Sequence, residues 1–200
     1  MRKEYIWEVK AENPPLLKRK CSHCSSERFY CSERFRMNSQ KKNIDIWLIY
    51  RCKNCDDTYN MTIFSRISRE AINKEMFDKF SNNNTELAWK YAFSRETSRK
   101  NNAAQDFDTV GYDIQTGNFS VEDILNSGDE VVTLKIRYPF EFSLRLSSVI
   151  RTGLNLSANK FNKLIEAEGI SVPGKNLQKK HKLKNDDIVL VDREKLKCIY

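Results

Sequence analysis

No stretch of this sequence approaches the ~20 consecutive apolar residues that a membrane-spanning helix needs, so no helical span is expected. The N-terminus, MRKEYIWEVK, scatters charges among its apolar residues and lacks the apolar core of a secretory signal. A cytoplasmic protein of bacterial type is therefore expected. Histidine is scarce: the two in the chain stand near no nucleophile motif, which leaves Ser-His or Cys-His catalysis without a starting point. A Gly-rich phosphate loop is missing. Asp106, Asp108 and Asp113 lack the Gly and Glu of a calcium loop. No small-molecule substrate is implied.

What the chain does have is basic charge and paired cysteines. The formal net charge is +8 over 200 residues. Residues 1–66 carry net +6, residues 67–141 net −4 and residues 142–200 net +6. Two basic ends around an acidic middle favour a polyanionic partner such as nucleic acid.

Cys21 and Cys24 form one Cys-x2-Cys pair and Cys52 and Cys55 another, separated by 27 residues. A two-residue spacer lets a tight turn aim two sulfurs at one ion, and two such turns complete a four-thiolate zinc site. The interval has a structural use. RFYCSERFR (Arg28–Arg36) and IDIWLIYR (Ile44–Arg51) read as strands joined by a polar turn, and TYNMTIF (Thr58–Phe64) as a third. The result is a zinc ribbon binding about one Zn2+ per chain. Four protein ligands make it a closed, structural site, because a catalytic zinc keeps a position for water. Cys31 reads as a core cysteine on the face of Phe29, Glu33 and Phe35, His23 as a loop histidine, and Cys198 as a free thiol.

In the middle region Ser68 is expected to cap a helix over residues 69–80, and Asn84 a second over 85–100. Residues 101–118 lack a period and read as a loop. Ser120 and Gly128 bracket a short helix, and EVVTLKIRY alternates as a half-buried strand with Val132, Leu134, Ile136 and Tyr138 inward.

The last third begins with a helix over Ser143–Leu154, with Leu146, Val149, Ile150 and Gly153 on one side. Ser157 caps the next, in which Ala158, Phe161, Leu164 and Ile165 point inward and Lys160 and Lys163 outward; Gly169 stops it. ISV is a short strand and PGK a turn. A lysine-rich loop, LQKKHKLKNDD, leads to a closing strand, IVLV.

Helix, turn, helix, strand, long loop, strand, with Arg145-Leu146, Val149, Gly153-Leu154, Ser157, Leu164-Ile165, Gly169-Ile170, Val172, Gly174-Lys175, Asp187-Ile188 and Val191, resembles the ribosomal protein S-four-type (alpha-L) RNA-binding motif over about residues 142–192. The resemblance implies binding of structured RNA by the helix pair, with Arg145, Arg151, Lys160, Lys163 and Lys175 on phosphates. Lys179, Lys180, Lys182 and Lys184 add a less specific basic loop. The chain departs from that motif at Ser147, where an acid is usual, at Ala158, where an arginine commonly contacts RNA, at Phe161, at Pro173 and at Asn185. CSHC, Phe35-Arg36, Asn38, IDIWLIY and the second knuckle carry a second resemblance, spanning nearly the whole chain, to an uncharacterised bacterial family known only as a domain of unknown function.

The expected fold is therefore α+β: a three-stranded antiparallel zinc ribbon over residues 1–66, a mainly helical middle over 67–141 ending in a strand, and an S-four-like module over 142–195. The expected function is non-enzymatic binding of structured RNA, such as ribosomal or transfer RNA. The alternative is a protein-interaction or transcription-associated ribbon that docks a protein partner through Trp47, Tyr50 and Tyr59 on its strands. A third reading is an RNA-modifying enzyme, which would need a catalytic aspartate or similar group in an added domain; residues 67–141 are short for one and show no such motif.

Overall fold

A computed structural model describes residues 4–200 except 41, 118 and 179, and the backbone alone of Lys175 and Asn176. The chain starts with β1 (Glu4–Ala11), β2 (Leu16–Lys18), β3 (Arg28–Gln40), β4 (Asn43–Cys52) and β5 (Thr58–Ser68). Helices α1 (Lys74–Ser81), α2 (Thr85–Phe93) and α3 (Arg95–Lys100) follow, then β6 (Ala104–Asp106) and β7 (Tyr112–Gln115). Helix α4 (Val121–Leu125), β8 (Val131–Arg137), α5 (Leu146–Gly153) and α6 (Ala158–Glu166) come next. The chain closes with β9 (Ile170–Val172), β10 (Lys175–Asn176), β11 (Asp187–Asp192) and α7 (Arg193–Lys197). The fold is α+β, with two sheets and seven α-helices among the described residues.

The chain divides into two compact units, neither matching a division at 66/67 or 141/142. Residues Glu12–Gly111 form one; residues 1–11 join Tyr112–Tyr200 in the other. The physical reason is β1. Its alternating side chains bury Tyr5, Trp7, Val9 and Ala11. It lies between β8, to which it runs parallel with Trp7 opposite Ile136, and β7, to which it runs antiparallel with Val9 opposite Ile114. The N-terminus is thus an internal strand of the C-terminal unit's sheet, ordered β10-β9-β11-β8-β1-β7. Residues 12–111 carry 18 basic and 13 acidic side chains, net +5, and the other unit 17 and 14, net +3. The acidic middle seen along the sequence is shared out, and both units are basic.

In the unit of residues 12–111 the sheet has five strands, β5-β4-β3-β2-β6, where three were expected. The long β3–β4 hairpin is its spine. Ile44, Ile46, Leu48, Tyr50 and Cys52 alternate along β4 and are buried. They meet Phe80, Leu87, Ala88 and Ala92 of α1 and α2, so one face of the hairpin is sealed by helices. The expected 69–80 helix is two pieces. Ser68 caps only a single 3-10 turn, and Asn73 starts α1 by accepting from the Met76 amide at 2.8 Å. Ser94 likewise accepts from the Thr97 amide and restarts the chain as α3, splitting the expected 85–100 helix. The segment read as a loop supplies β6 and β7, strands of three and four residues, too short to show a period.

In the other unit β8 follows the expected alternation, with Val132, Leu134, Ile136 and Tyr138 buried. Helix α4 starts with a full capping box between Ser120 and Asp123. Helices α5 and α6 bury Leu146, Val149, Ile150, Phe161 and Leu164. A Cβ at Gly153 would collide with the Trp7 ring, so the glycine is required by close packing of α5 on β1. Among the described residues no helix is long and apolar enough to cross a membrane.

Candidate metal centre and basic cleft

Strand pairing assembles the four cysteines. Leu17 of β2 lies opposite Phe29 of β3, and Phe29 opposite Cys52 of β4, so the loop after β2 and the turn after β4 open at the same end of the sheet. Cys21 Sγ is 3.6 Å from Cys55 Sγ, and Cys24 Sγ is 3.5 Å from Cys52 Sγ. All four sulfurs fall within 4.8 Å of one another. These distances are far longer than the ~2.05 Å of a disulfide, and every cysteine is a free thiol.

Backbone amides converge on the sulfurs. The His23 amide donates to Cys21 Sγ at 3.4 Å and the Ser26 amide to Cys24 Sγ at 3.5 Å. Burial opposes ionisation of Cys52, but the amides of Asn54 and Cys55 outweigh it and bring the thiol down to about 6. At Cys55 the Asp57 amide favours the thiolate, yet burial and the neighbouring sulfurs push the thiol up to about 12. Four thiolates this close repel one another, and a cation among them removes the conflict. The arrangement is compatible with a metal site.

The residues around it divide cleanly. His23 is 69% exposed at its side chain, and its Nδ1 lies 3.0 Å from Asp57 Oδ2. That hydrogen bond holds the Asp57 carboxyl below its usual range. His23, Asp57 and Cys21 make a second, more open grouping of ligand atoms beside the four sulfurs. Cys31 stands apart from both. It faces the core opposite Tyr50, and burial pushes its thiol up to about 12. The strand is irregular here: register shifts between Cys31 and Arg34, and Glu33 takes a left-handed φ of 58°. Glu33 Oε1 then accepts from Trp89 Nε1 of α2 at 2.6 Å. Cys198, after α7, is exposed.

The expected RNA contacts fall into three groups. Arg145 and Arg151 line one cleft of about 210 Å3 between α5 and α6, together with Ser147, Ser148, Ala158, Phe161 and Asn162. The lysine-rich loop is tied to the start of α5 in a way the sequence did not reveal. The Leu146 amide donates to the His181 carbonyl and the Leu183 amide to the Leu144 carbonyl, both at 2.9 Å. This bridge sets Lys182 directly opposite Arg145, with both side chains exposed. Buried Leu177 and Leu183 hold the loop down, and His181 Nε2 lies 3.5 Å from Asp187 Oδ2.

Lys160 and Lys163 are absent from that cleft. They follow Ala158 by two and five positions, which turns them away from the edge that Ala158 and Asn162 present, at 100° per residue. Lys160 Nζ donates to the Tyr200 carbonyl at 3.3 Å and sits 5.2 Å from the Tyr200 ring centre. Lys163, Lys180 and Lys184 are exposed. The Lys175 side chain and Lys179 lie outside the described residues. Of the three aromatics expected to be docking anchors, Tyr50 is 0% exposed and part of the core, while Tyr59 is half-buried under the Arg19 guanidinium. Buried because β4 turns its even-numbered side chains toward α2, Tyr50 cannot serve as an anchor.

A family described as Protein of unknown function (DUF1062) matches residues 37–176, well over half of the chain. The chain belongs to this family. The matched segment contains Cys52, Cys55 and the α5–α6 cleft, and begins after Cys21 and Cys24. No curated protein and no solved structure matches the chain.

Proposed function

We infer that the protein is a non-enzymatic RNA-binding protein that recognises structured RNA through the α5–α6 cleft and carries a structural zinc ion. The observation that carries this reading is the convergence of Arg145 and Arg151 on one cleft, with Lys182 set opposite Arg145. Guanidinium groups present planar donor forks that suit phosphate oxygens. Two such groups, one at the N-terminal cap of α5 and one on the helix, with Lys182 opposite the first, form a site for successive phosphates of a folded RNA, which is recognised mainly by shape and backbone. The order α5, α6, β9, β10, long loop, β11 supports the S-four-like reading. Ala158 lines the cleft where the resembling motif commonly has an arginine, and Lys182 supplies a cation nearby.

Zinc suits the four sulfurs. A tetrahedral site with Zn–S of ~2.3 Å has edges of about 3.8 Å, close to the 3.6 and 3.5 Å between the paired sulfurs. Four protein ligands leave no position for a substrate. The ion would act as a cross-link between the two turns.

The test is titration of a labelled RNA hairpin with the full chain and with Arg145→Ala/Arg151→Ala. The double variant should lose at least about tenfold in affinity, and its log K against log salt should flatten by about 1–2, because fewer counterions are released. Equal, salt-insensitive binding by both proteins would remove the reading. Elemental analysis should find about one zinc per chain.

A further inference from the structure

Helices α1 and α2 seal one face of the β3–β4–β5 sheet; the opposite face carries a different chemistry. There the register sets Arg36 opposite Trp47 and Arg34 opposite Ile49, while Arg51 follows on β4. Across β4, Trp47 faces Thr62 and Ile49 faces Asn60. Arg34, Arg36 and Arg51 are exposed, and Trp47 is half-buried among them. Directly opposed side chains in an antiparallel pair have Cβ atoms about 5 Å apart, so Trp47 lies beside Arg36 on one side and Thr62 on the other, with Arg34 diagonal to it. At the hairpin end the face runs into an open cleft of about 560 Å3 that adds Lys42 and Arg66. Asp45 is the carboxylate lining that cleft, and its Oδ1 already accepts from the Arg66 amide at 2.8 Å. The β3 acid, Glu33, is held by Trp89 on the helix side.

We propose that this face is a binding platform for single-stranded RNA. Trp47 provides the stacking surface for an unpaired base, and the arginines with Lys42 and Arg66 track the phosphates. Charge decides the class of occupant. Arginine beside an aromatic ring also occurs at protein–protein interfaces; what favours a polyanion here is the run of like charge, with Arg34, Arg36 and Arg51 beside Trp47 and Tyr30 and with Lys42 and Arg66 at the hairpin end. Stacking rings in a basic track are what sequence-tolerant single-strand binding uses. From Asn43 to Arg51 the platform runs about 27 Å at ~3.4 Å per residue, room for several nucleotides. Single strands fit because a duplex hides its base faces. The choice of RNA over DNA rests on the reading of the α5–α6 cleft above.

The experiment measures anisotropy of a labelled uridine dodecamer against the full chain, with an RNA hairpin in parallel. Trp47→Ala should weaken dodecamer binding by about 5- to 150-fold, the range for losing one stacked base. Arg34→Ala/Arg36→Ala, which removes only exposed charge, should weaken it too and reduce the salt slope by about 1.4. Arg145→Ala/Arg151→Ala should leave dodecamer binding unchanged while lowering hairpin binding. Wild-type dodecamer affinity in both face variants overturns the platform and leaves the cleft reading standing. A thymidine dodecamer bound as tightly as the uridine one overturns the choice of RNA. A polyglutamate peptide bound in place of any oligonucleotide overturns it in favour of an acidic protein. Loss of dodecamer binding in the face variants, with hairpin binding untouched by the cleft variant, supports the platform and removes the cleft reading.

Discussion

The two units close themselves by different means. In residues 12–111 the spine is local: β3, β4 and β5 follow one another as hairpins, and the two cysteine turns meet because adjacent strands bring them to one end of the sheet. The other unit is closed by distant segments. Glu4–Ala11 pairs with Val131–Arg137, and β11, near the chain's end, pairs with the opposite edge of β8. One unit therefore adds a constraint at four sulfurs to its apolar core, and the other relies on apolar side chains along a sheet. With the proposed zinc bound, the first should fail abruptly when a ligand is lost, because metal binding and folding would then be one equilibrium. The second should fail in proportion to the packing removed.

Cys52→Ala is the sharpest way to test that contrast. It should abolish zinc retention and cost residues 12–111 more than about 4 kcal/mol, as loss of a structural metal does. Hydrogen exchange should show protection lost in β3–β5 and retained in β1, β8 and β11; uniform loss across both units would break the comparison. Acid should act on the wild type in the same direction. Protons would compete with the proposed ion for thiolates, so its contribution to stability should be present at neutral pH and disappear as pH falls. The metal-free Cys52 thiol, held down to about 6, should ionise before those of Cys24 and Cys55, which are pushed up.

Trp7→Ala comes next. Trp7 is 1% exposed between β1 and α5, and truncation should cost about 3–5 kcal/mol, read as a lower denaturant midpoint for the C-terminal unit with zinc content unchanged. Gly153→Ala is smaller. The added methyl group meets the same indole, and overpacking of this kind costs about 1–3 kcal/mol. Combined with Trp7→Ala, which removes the ring, the Gly153→Ala penalty should largely vanish. A fully additive double variant would show that the two residues do not share a contact.

The parts that could be read along the chain are those whose cause is local. The Cys-x2-Cys spacing specifies a turn, the alternation of Val132 to Tyr138 specifies a face, and Ser157 and Ser120 cap the helices expected of them. Asn73 and Ser94 were missed although they cap just as directly, since apolar spacing continues through both and disguises the break. Lys160 and Lys163 read as a paired basic face because helical spacing reports only what shares a side. It does not report that the chain's last residue, Tyr200, lies under Lys160.

The four-cysteine cluster and the helix pair are written into the chain locally, because ligand spacing, capping and apolar period act over a few residues. Strand pairing alone places the N-terminal strand in the C-terminal sheet, sets Lys182 opposite Arg145, and puts Arg34, Arg36 and Trp47 on a face turned away from the helices. Each of these depends on strand register or partner choice between segments far apart in sequence. Register moves side chains between faces without altering composition or local propensity.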